Sequence, residues 1–315
     1  MKILSPIDRL EEAALLMDAG ADELYGGYVS AAWREKYSML GSANHRYFPN
    51  AQIKSEDELS GIIKEVHSRG GKFHLALNAP YYLPEQYKDM MAEAEKLASF
   101  GVDAFIVSDL GLILRMKERL PGAELHLSTL STVFNGRSAG FFFKLGVRRM
   151  VLPRELTTAE MARIIKDNPG ASFDAFVMVG KCPNVEGFCG FTHNSEELVW
   201  PCEESYSMRA VRGNGRADAI IQAQGGWSRV NRRQACGLCA VGRLRDAGIN
   251  ALKIVGRGGP TAVKVKVVEA VREALSRAVS GAREEELRHA ARESYSGVFG
   301  SECSAYVCYF PEMRR

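Results

Sequence analysis

The chain has 315 residues, of which 46% are hydrophobic and 25% are charged, enough to build one large core. A net charge of +3 does not by itself indicate nucleic-acid binding, and it excludes no class of partner. The N-terminal stretch MKILSPIDRLEEAALL lacks an apolar signal region, and no apolar run approaches the roughly 20 residues of a membrane span. We therefore expect a cytoplasmic protein, in which seven cysteines, an odd number, are not expected to form disulfides.

One unit recurs along the chain: the end of a helix, a glycine, and then a short apolar run. It appears as DAGADELYGG, SFGVDAFIVSD, KLGVRRMVLPRE and DAGINALKIVGR, with the glycines at Gly20, Gly101, Gly146 and Gly248. Glycine ends a helix by adopting a left-handed backbone conformation, and near-continuous apolar runs are typical of parallel strands buried on both faces. The repeat therefore predicts successive βα units.

Eight strands alternating with helices predict a TIM-like (β/α)8 barrel. The predicted strands are Glu23–Tyr25, Lys72–Asn78, Ala104–Ser108, Glu124–Leu127, Arg149–Leu152, Phe173–Val179 and Ala251–Val255, with an eighth between Trp200 and Gln224, the candidate being Ala219–Gln222. The predicted helices are Ile7–Ala19, Glu56–Arg69, Pro84–Phe100, Gly111–Arg119, Ala139–Leu145, Thr158–Lys166 and Thr261–Ala278. An open doubly wound sheet ranks lower because no GxGxxG follows the first strand.

The barrel is expected to span residues 1–280, followed by an appendage over 281–315 that packs on it. This appendage consists of a charged helix, GAREEELRHAARESY, and a short irregular tail that contains Cys303 and Cys308. Buried structural thiols are the favoured interpretation of these two cysteines.

Active sites of such barrels lie at the carboxyl ends of the strands. The residues at these ends are polar and rich in cations: Tyr25, Gly26, Gly27, Asn78, Ser108, Asp109, Ser128, Thr129, Arg154, Glu155, Lys253, Gly256 and Arg257. Lys253 is the strongest candidate because a charge within an apolar strand is costly unless it faces a polar site.

Other residues at this end have plainer interpretations. Arg154 and Glu155 could equally cap the following helix. The loop GRGGP after the last strand suits a phosphate or carboxylate, but also a plain turn. A basic cluster, Arg229, Arg232 and Arg233, is interpreted as solvated surface.

Five cysteines concentrate between residues 182 and 239. Cys182 and Cys189 lie in KCPNVEGFC, Cys202 follows, and Cys236 and Cys239 form a CGLC. Converging thiolates suit an iron–sulfur cluster or a tetrahedral zinc ion, whereas scattered buried thiols have no ligand role. The spacing alone leaves these alternatives open.

CPNVEGFC resembles the C-x4-G-x-C core signature of the U32 collagenase-like peptidase family, and several other segments match the family in order. These are GADELYGG, LALNAP, IVSDLG, HLSTLSTVFN, LPREL and DAGINALKIVGR, covering about residues 1–275. The core signature departs from the family at three places, where Asp174 replaces a Glu, Val179 replaces a Gly and Thr192 replaces a Ser; in the separate KIEGR-like motif Val255 replaces a Glu.

The resemblance implies a TIM-like barrel and a [4Fe–4S] cluster held by Cys182, Cys189, Cys202 and Cys236, with Cys239 as the alternative fourth ligand. Better-understood relatives resemble oxygen-independent hydroxylases of an RNA base or a quinone precursor, with prephenate as the oxygen donor. On this basis Arg154, Lys253, Arg257 and Asn78 are the expected catalytic residues, the cations holding a dicarboxylate.

Two other functions remain as alternatives. The first is a peptidase, the historical family label, although the sequence offers no defensible Ser/His/Asp or Cys/His arrangement. The second is a non-catalytic, cluster-bearing subunit paired with a paralogue. The partners expected are a small-molecule or RNA substrate, and a paralogous U32 subunit or a second copy of the chain.

Overall fold

Eight parallel strands close into a barrel in sequence order, each pairing with the next and the last with the first. The computed structural model describes residues 1–37, 43–46, 48–182, 184–189, 215–224 and 233–314. The strands are β1 (Lys2–Pro6), β2 (Glu23–Gly26), β3 (Lys72–Leu77), β4 (Ala104–Val107), β5 (Leu125–Leu127), β6 (Arg149–Val151), β7 (Ser172–Met178) and β8 (Ala251–Ile254). The predicted (β/α)8 barrel is confirmed.

Helices surround the barrel and fill the connections between strands. They are α1 (Glu11–Asp18), α2 (Ala31–Tyr37), α3 (Glu56–Ser68), α4 (Gln86–Ala98), α5 (Leu110–Arg119), α6 (Gly136–Lys144), α7 (Thr158–Asp167), α8 (Gly215–Gln224), α9 (Val241–Ala247), α10 (Thr261–Val279) and α11 (Glu284–Phe299). No helix in the described part of the chain is both long and apolar enough to cross a membrane.

The sequence prediction misplaced one strand. The segment Ala219–Gln222 belongs to α8, which is rich in Ala and Gln, good helix formers. The missing strand is β1, in which Leu4 pairs with Glu23 on one side and Lys253 on the other. Consequently α1 begins at Glu11 rather than Ile7, and the loop that starts at Cys182 follows the seventh strand rather than the sixth.

The helix ends follow local sequence signals. Thr157 and Glu160 form a capping box that starts α7, each side chain accepting a hydrogen bond from the other residue's backbone amide. Asp109 caps α5 by accepting from Leu112 N at 2.6 Å, so this strand-end carboxylate serves the helix. Gly248 ends α9 with φ +91°, as the repeat predicted.

A buried ionic network closes the amino-terminal end of the barrel. Arg149 donates to Glu23 Oε2 and to Asp174 Oδ1, both at 2.6 Å. Asp174, at the position of the family Glu, is therefore part of this network. At the amino-terminal end of a TIM barrel such ion pairs contribute to stability rather than to catalysis. Because Arg149 is bound in this network, it does not contribute to the site at the carboxyl-terminal end.

The C-terminal segment packs on the barrel. Helix α11 lies against α10, and the tail residues Val307, Cys308, Tyr309 and Phe310 are buried. The tail adds backbone hydrogen bonds from Cys236 N to Val307 O (2.8 Å) and from Tyr309 N to Cys236 O (2.9 Å). The irregular tail thus binds the CGLC segment, which itself pairs with β7.

Candidate active site

A cavity of about 390 Å³ opens at the carboxyl-terminal end of the barrel, where the sequence placed the site. Its floor is formed by side chains that point into the barrel: Tyr25, Ala76, Ile106, Val151, Phe176 and Lys253. Its walls come from the βα loops and carry most of the predicted strand-end residues, including Asn78, Ser128, Arg154, Cys182, Gly256 and Arg257.

Lys253 projects from β8 into the cavity floor. Its Nζ lies 3.9 Å from the centre of the Tyr25 ring, and Tyr25 Oη donates to Ile254 O at 2.9 Å. No ion pair engages Lys253 within the described residues, since the carboxylate of Asp174 is bound by Arg149. Burial, followed by the nearby cations, lowers the pKa of Lys253 to about 7 despite the attraction of Asp174. Lys253 is therefore a buried cation available to an anionic ligand.

Arg154 follows β6 and lines the cavity wall. Its guanidinium is 3.6 Å from the centre of the Phe176 ring and forms an ion pair with Glu186. Its Nε is buried and has no hydrogen-bond partner among the described residues. Because Thr157, not Arg154, caps α7, the alternative helix-capping interpretation of Arg154 is wrong.

Arg257 is also buried at the cavity wall. Its Nη2 donates to Asn44 Oδ1 at 3.1 Å, and its Nη1 has no hydrogen-bond partner in the described part of the chain. Burial lowers its pKa to about 10, so it stays protonated at neutral pH. A Cβ at Gly27 would lie 1.9 Å from Nη1, so glycine at this position is what lets the guanidinium enter.

The GRGGP loop does hold a carboxylate, but it is the chain's own. Asp8 Oδ2 accepts from Gly258 N at 2.6 Å, and the carboxylates of Asp8 and Glu12 pair with Lys264. All three ionic side chains are buried. The loop is therefore anchored to the start of α1, and it positions Arg257 rather than binding a phosphate at Gly258.

Asn78 connects three loops around the mouth. Its Nδ2 donates to Ser128 Oγ at 3.2 Å, and its Oδ1 accepts from His45 N at 3.2 Å. His45 and Arg46 line the cavity and were not identified from the sequence. They lie in the long segment 29–50, which contains no motif that marks a ligand-facing residue. Only the length of this segment after a strand end indicated that it could contribute to a site.

The described cysteines form two groups. Cys182 lines the cavity, and its thiol lies near that of Cys189, which accepts a hydrogen bond from Asn184 Nδ2 at 3.7 Å. Burial raises the pKa of Cys182, and Arg154 opposes this rise. Cys202 lies outside the described residues.

The second group lies under the tail. Cys236 is buried beside Cys303 and Cys308, and Cys239 shares a thiol hydrogen bond with Cys308. Burial raises the pKa of Cys236 to about 12. Tyr309 lies between the two groups, and its hydroxyl donates to Val179 O.

The fit of an iron–sulfur cluster rests on the first group. Two soft thiols beside an amide donor match the chemistry of cluster ligands and their hydrogen bonds. Within the described ranges no three or more His, Cys, Asp or Glu side chains converge as metal ligands. The structure therefore presents two of the four expected ligands together, Cys182 and Cys189, at the edge of the cavity.

A family model matches almost the whole chain. The family model for peptidase family U32 matches residues 8–314. The chain belongs to peptidase family U32. A solved U32 peptidase structure superposes with a TM-score of 0.53 at 13% identity, covering 82% of this chain and 94% of that one, which supports the shared fold.

Curated U32 relatives carry names of RNA-modifying proteins. The tRNA hydroxylation protein P of Haemophilus influenzae is 30% identical over 223 residues, 70% of this chain and 45% of that protein. The 23S rRNA 5-hydroxycytidine C2501 synthase of Escherichia coli is 25% identical over 271 residues, 82% of this chain and 36% of that protein. This chain thus spans less than half the length of either relative.

One relative carries the peptidase label. The collagenase of Porphyromonas gingivalis is 23% identical over 302 residues, which is 90% of this chain and 68% of that protein.

Proposed function

We propose that this U32 protein hydroxylates a base of RNA without molecular oxygen, using an iron–sulfur cluster and prephenate as oxygen donor. The observation that carries the proposal is the cavity itself, where three buried cations, Arg154, Lys253 and Arg257, lie around the same space as Cys182. The names of two relatives, a tRNA hydroxylation protein and an rRNA 5-hydroxycytidine synthase, support RNA rather than a quinone precursor as substrate.

In this proposal the cations bind the donor. Prephenate carries two carboxylates, and the polar atoms Arg154 Nε and Arg257 Nη1 are buried without a described hydrogen-bond partner. Buried donors left unsatisfied favour an anion that completes their hydrogen bonds. Protonated Lys253 on the floor would hold the second carboxylate, and Asn78 would keep the surrounding loops in place.

Cys182 and Cys189 would hold the cluster together with Cys202 and, as the family resemblance implies, Cys236 or its alternative Cys239; in this structure the last two thiols lie in the second group, apart from Cys182 and Cys189. A cluster bound there would supply redox chemistry beside the donor site. The neighbouring residues Arg154 and Asn184 supply positive charge and a hydrogen bond to the thiolates.

The test is mass spectrometry of nucleosides from RNA of cells with the gene intact, deleted, or replaced by Lys253→Met or Cys182→Ala. We expect a nucleoside that carries one additional oxygen in the first strain and its loss in the other three. An identical nucleoside profile in all four strains would refute the proposal, whereas a product that survives in Lys253→Met alone would refute the role of that cation.

A peptidase remains the second candidate, favoured by the collagenase relative that spans most of the chain. It predicts gelatin cleavage that persists after iron is removed. Cleavage that is absent from the purified protein, with or without chelator, removes this candidate.

A further inference from the structure

Two large aromatic side chains project into solvent from loops at the mouth of the barrel. Phe188 is 76% exposed in the 3-10 turn Glu186–Phe188 after β7, and Tyr81 is 70% exposed in the loop after β3. They are more exposed than Phe141, which is 50% exposed on the outer helix α6. Single exposed apolar side chains are common, but two exposed aromatic side chains on loops at the active-site end of a barrel are positioned to contact a ligand.

The turn that carries Phe188 is firmly attached. Gly187 lies so close to the 3-10 turn Thr129–Ser131 that a Cβ there would be 2.3 Å from Leu130 O. Glu186, two residues before Phe188, forms the ion pair with Arg154 inside the cavity. Phe188 is thus presented on a backbone that is held two residues from the cavity-lining residue Glu186.

The same framework extends to Tyr81. Ser128, next to the 3-10 turn, accepts a hydrogen bond from Asn78, which lies three residues before Tyr81. The loops after β3, β5 and β7 therefore form one connected rim, with an aromatic residue from each end of it facing solvent.

We propose that Phe188 and Tyr81 form a stacking platform for the single-stranded nucleotides that flank the target base. This inference rests on the proposed RNA function and adds the residues that recognise the strand. Single-stranded RNA is bound by aromatic side chains that stack on bases beside cationic grooves. Complementary charge near the rim comes from Arg46 and Arg233, which line the cavity and are not assigned to the donor.

The experiment measures binding of the full chain to a fluorescein-labelled single-stranded oligoribonucleotide and to bulk tRNA by fluorescence anisotropy. Phe188→Ala and Tyr81→Ala are each expected to weaken binding roughly tenfold, the usual value of one stacked base. Phe188→Trp should retain affinity, Phe188→Leu should behave like the alanine variant, and the matched surface control Phe141→Ala should bind as wild type.

Salt dependence separates stacking from charge. Because no phosphate contact is removed, the slope of log affinity against log salt should stay unchanged in Phe188→Ala. Wild-type binding that persists equally in Phe188→Ala and Tyr81→Ala overturns the platform while leaving the RNA function intact. Absence of RNA binding by the wild type overturns both the platform and the RNA function. If Phe188→Ala or Tyr81→Ala changes the molar mass measured by light scattering but not the RNA affinity, the aromatic residues belong to a protein interface instead.

Discussion

Lys253 shows how a single residue can lower stability in order to build a site. The fold keeps an ammonium group on the barrel floor, where it contacts an aromatic ring and, among the residues that the structure describes, pairs with no carboxylate. Its neighbours on the same strand are buried and apolar, so an apolar side chain would fit there. We propose that this location serves ligand binding rather than folding.

Lys253→Met is therefore expected to increase the free energy of unfolding by about 2 to 4 kcal/mol near neutral pH, since it removes an unpaired buried charge. The folded-state pKa, about 7, lies below the ordinary value of 10.5, so the unfolded chain binds more protons between these values. Wild-type stability should then rise with pH across this window, and the advantage of the variant should shrink. Urea unfolding at about pH 6 and about pH 9 measures both effects; equal stability of the two proteins at both pH values would contradict the account.

The same titration should appear in ligand binding. Because the proposed donor is an anion, its affinity should fall as pH rises from about 6 to about 8 and Lys253 loses its proton. Calorimetric titration with prephenate should show this fall in the wild type and weaker, pH-independent binding in Lys253→Met. Lys253→Arg is the matched control, since it keeps its charge throughout; a pH dependence that persists in this control would assign the titration to another group.

Val179 is a second residue in a costly state. Its φ is +62°, in the left-handed region that a β-branched side chain disfavours, at the position where the family has glycine. Val179→Gly relieves this strain, whereas Val179→Ala retains a Cβ and only loses packing. We expect the glycine variant to be more stable than the alanine variant by about 1 kcal/mol, as measured by thermal unfolding. The reverse order would show that packing at this position outweighs backbone strain.

At the scale of elements, the turn Glu186–Phe188 depends on close contact with the 3-10 turn Thr129–Ser131. A Cβ at Gly187 would meet Leu130 O, a backbone atom that cannot move aside cheaply. Gly187→Ala should therefore displace the turn, lower stability by about 1 to 3 kcal/mol, and reduce the iron content if Cys189 is a ligand as proposed.

Gly122→Ala is the matched control, because nothing lies within 4 Å of the Cβ position at that glycine. Its stability should stay within about 0.5 kcal/mol of wild type. If Gly187→Ala unfolds at the same temperature and retains the same iron as Gly122→Ala, the turn is not held as described.

Periodicity and glycine placement predicted most elements because each βα unit carries its own signals. Gly20, Gly101, Gly146 and Gly248 all have the positive φ that the repeat implied. β1 was missed because KILSP is short and runs directly into the segment that leads to α1, so its two pairings depend on residues far along the chain. The segment Ala219–Gln222 is apolar enough for a strand, yet its intrinsic preference and its neighbours make it helical.

At the scale of the whole molecule, the barrel rule placed the site without knowledge of any ligand. Arg154, Lys253, Arg257, Asn78 and Cys182 come from distant parts of the sequence and line one cavity. The sequence did not predict which groups contact each other. Examples are the hydrogen bond from the backbone amide of Gly258 to the Asp8 carboxylate and the contact between the thiols of Cys239 and Cys308. Such pairings follow from tertiary packing and leave no local motif.

We propose that this barrel holds a redox centre beside its cationic cavity. The most direct measurement is quantitation of iron and acid-labile sulfide in anaerobically purified protein, for the wild type, Cys182→Ala, Cys189→Ala and, as control, Cys303→Ala. We expect about four irons and four sulfides per chain in the wild type and in the control, and a loss of both in the Cys182 and Cys189 variants. Zinc, an absence of iron, or an iron content unaffected by Cys182→Ala would contradict the hydroxylase account.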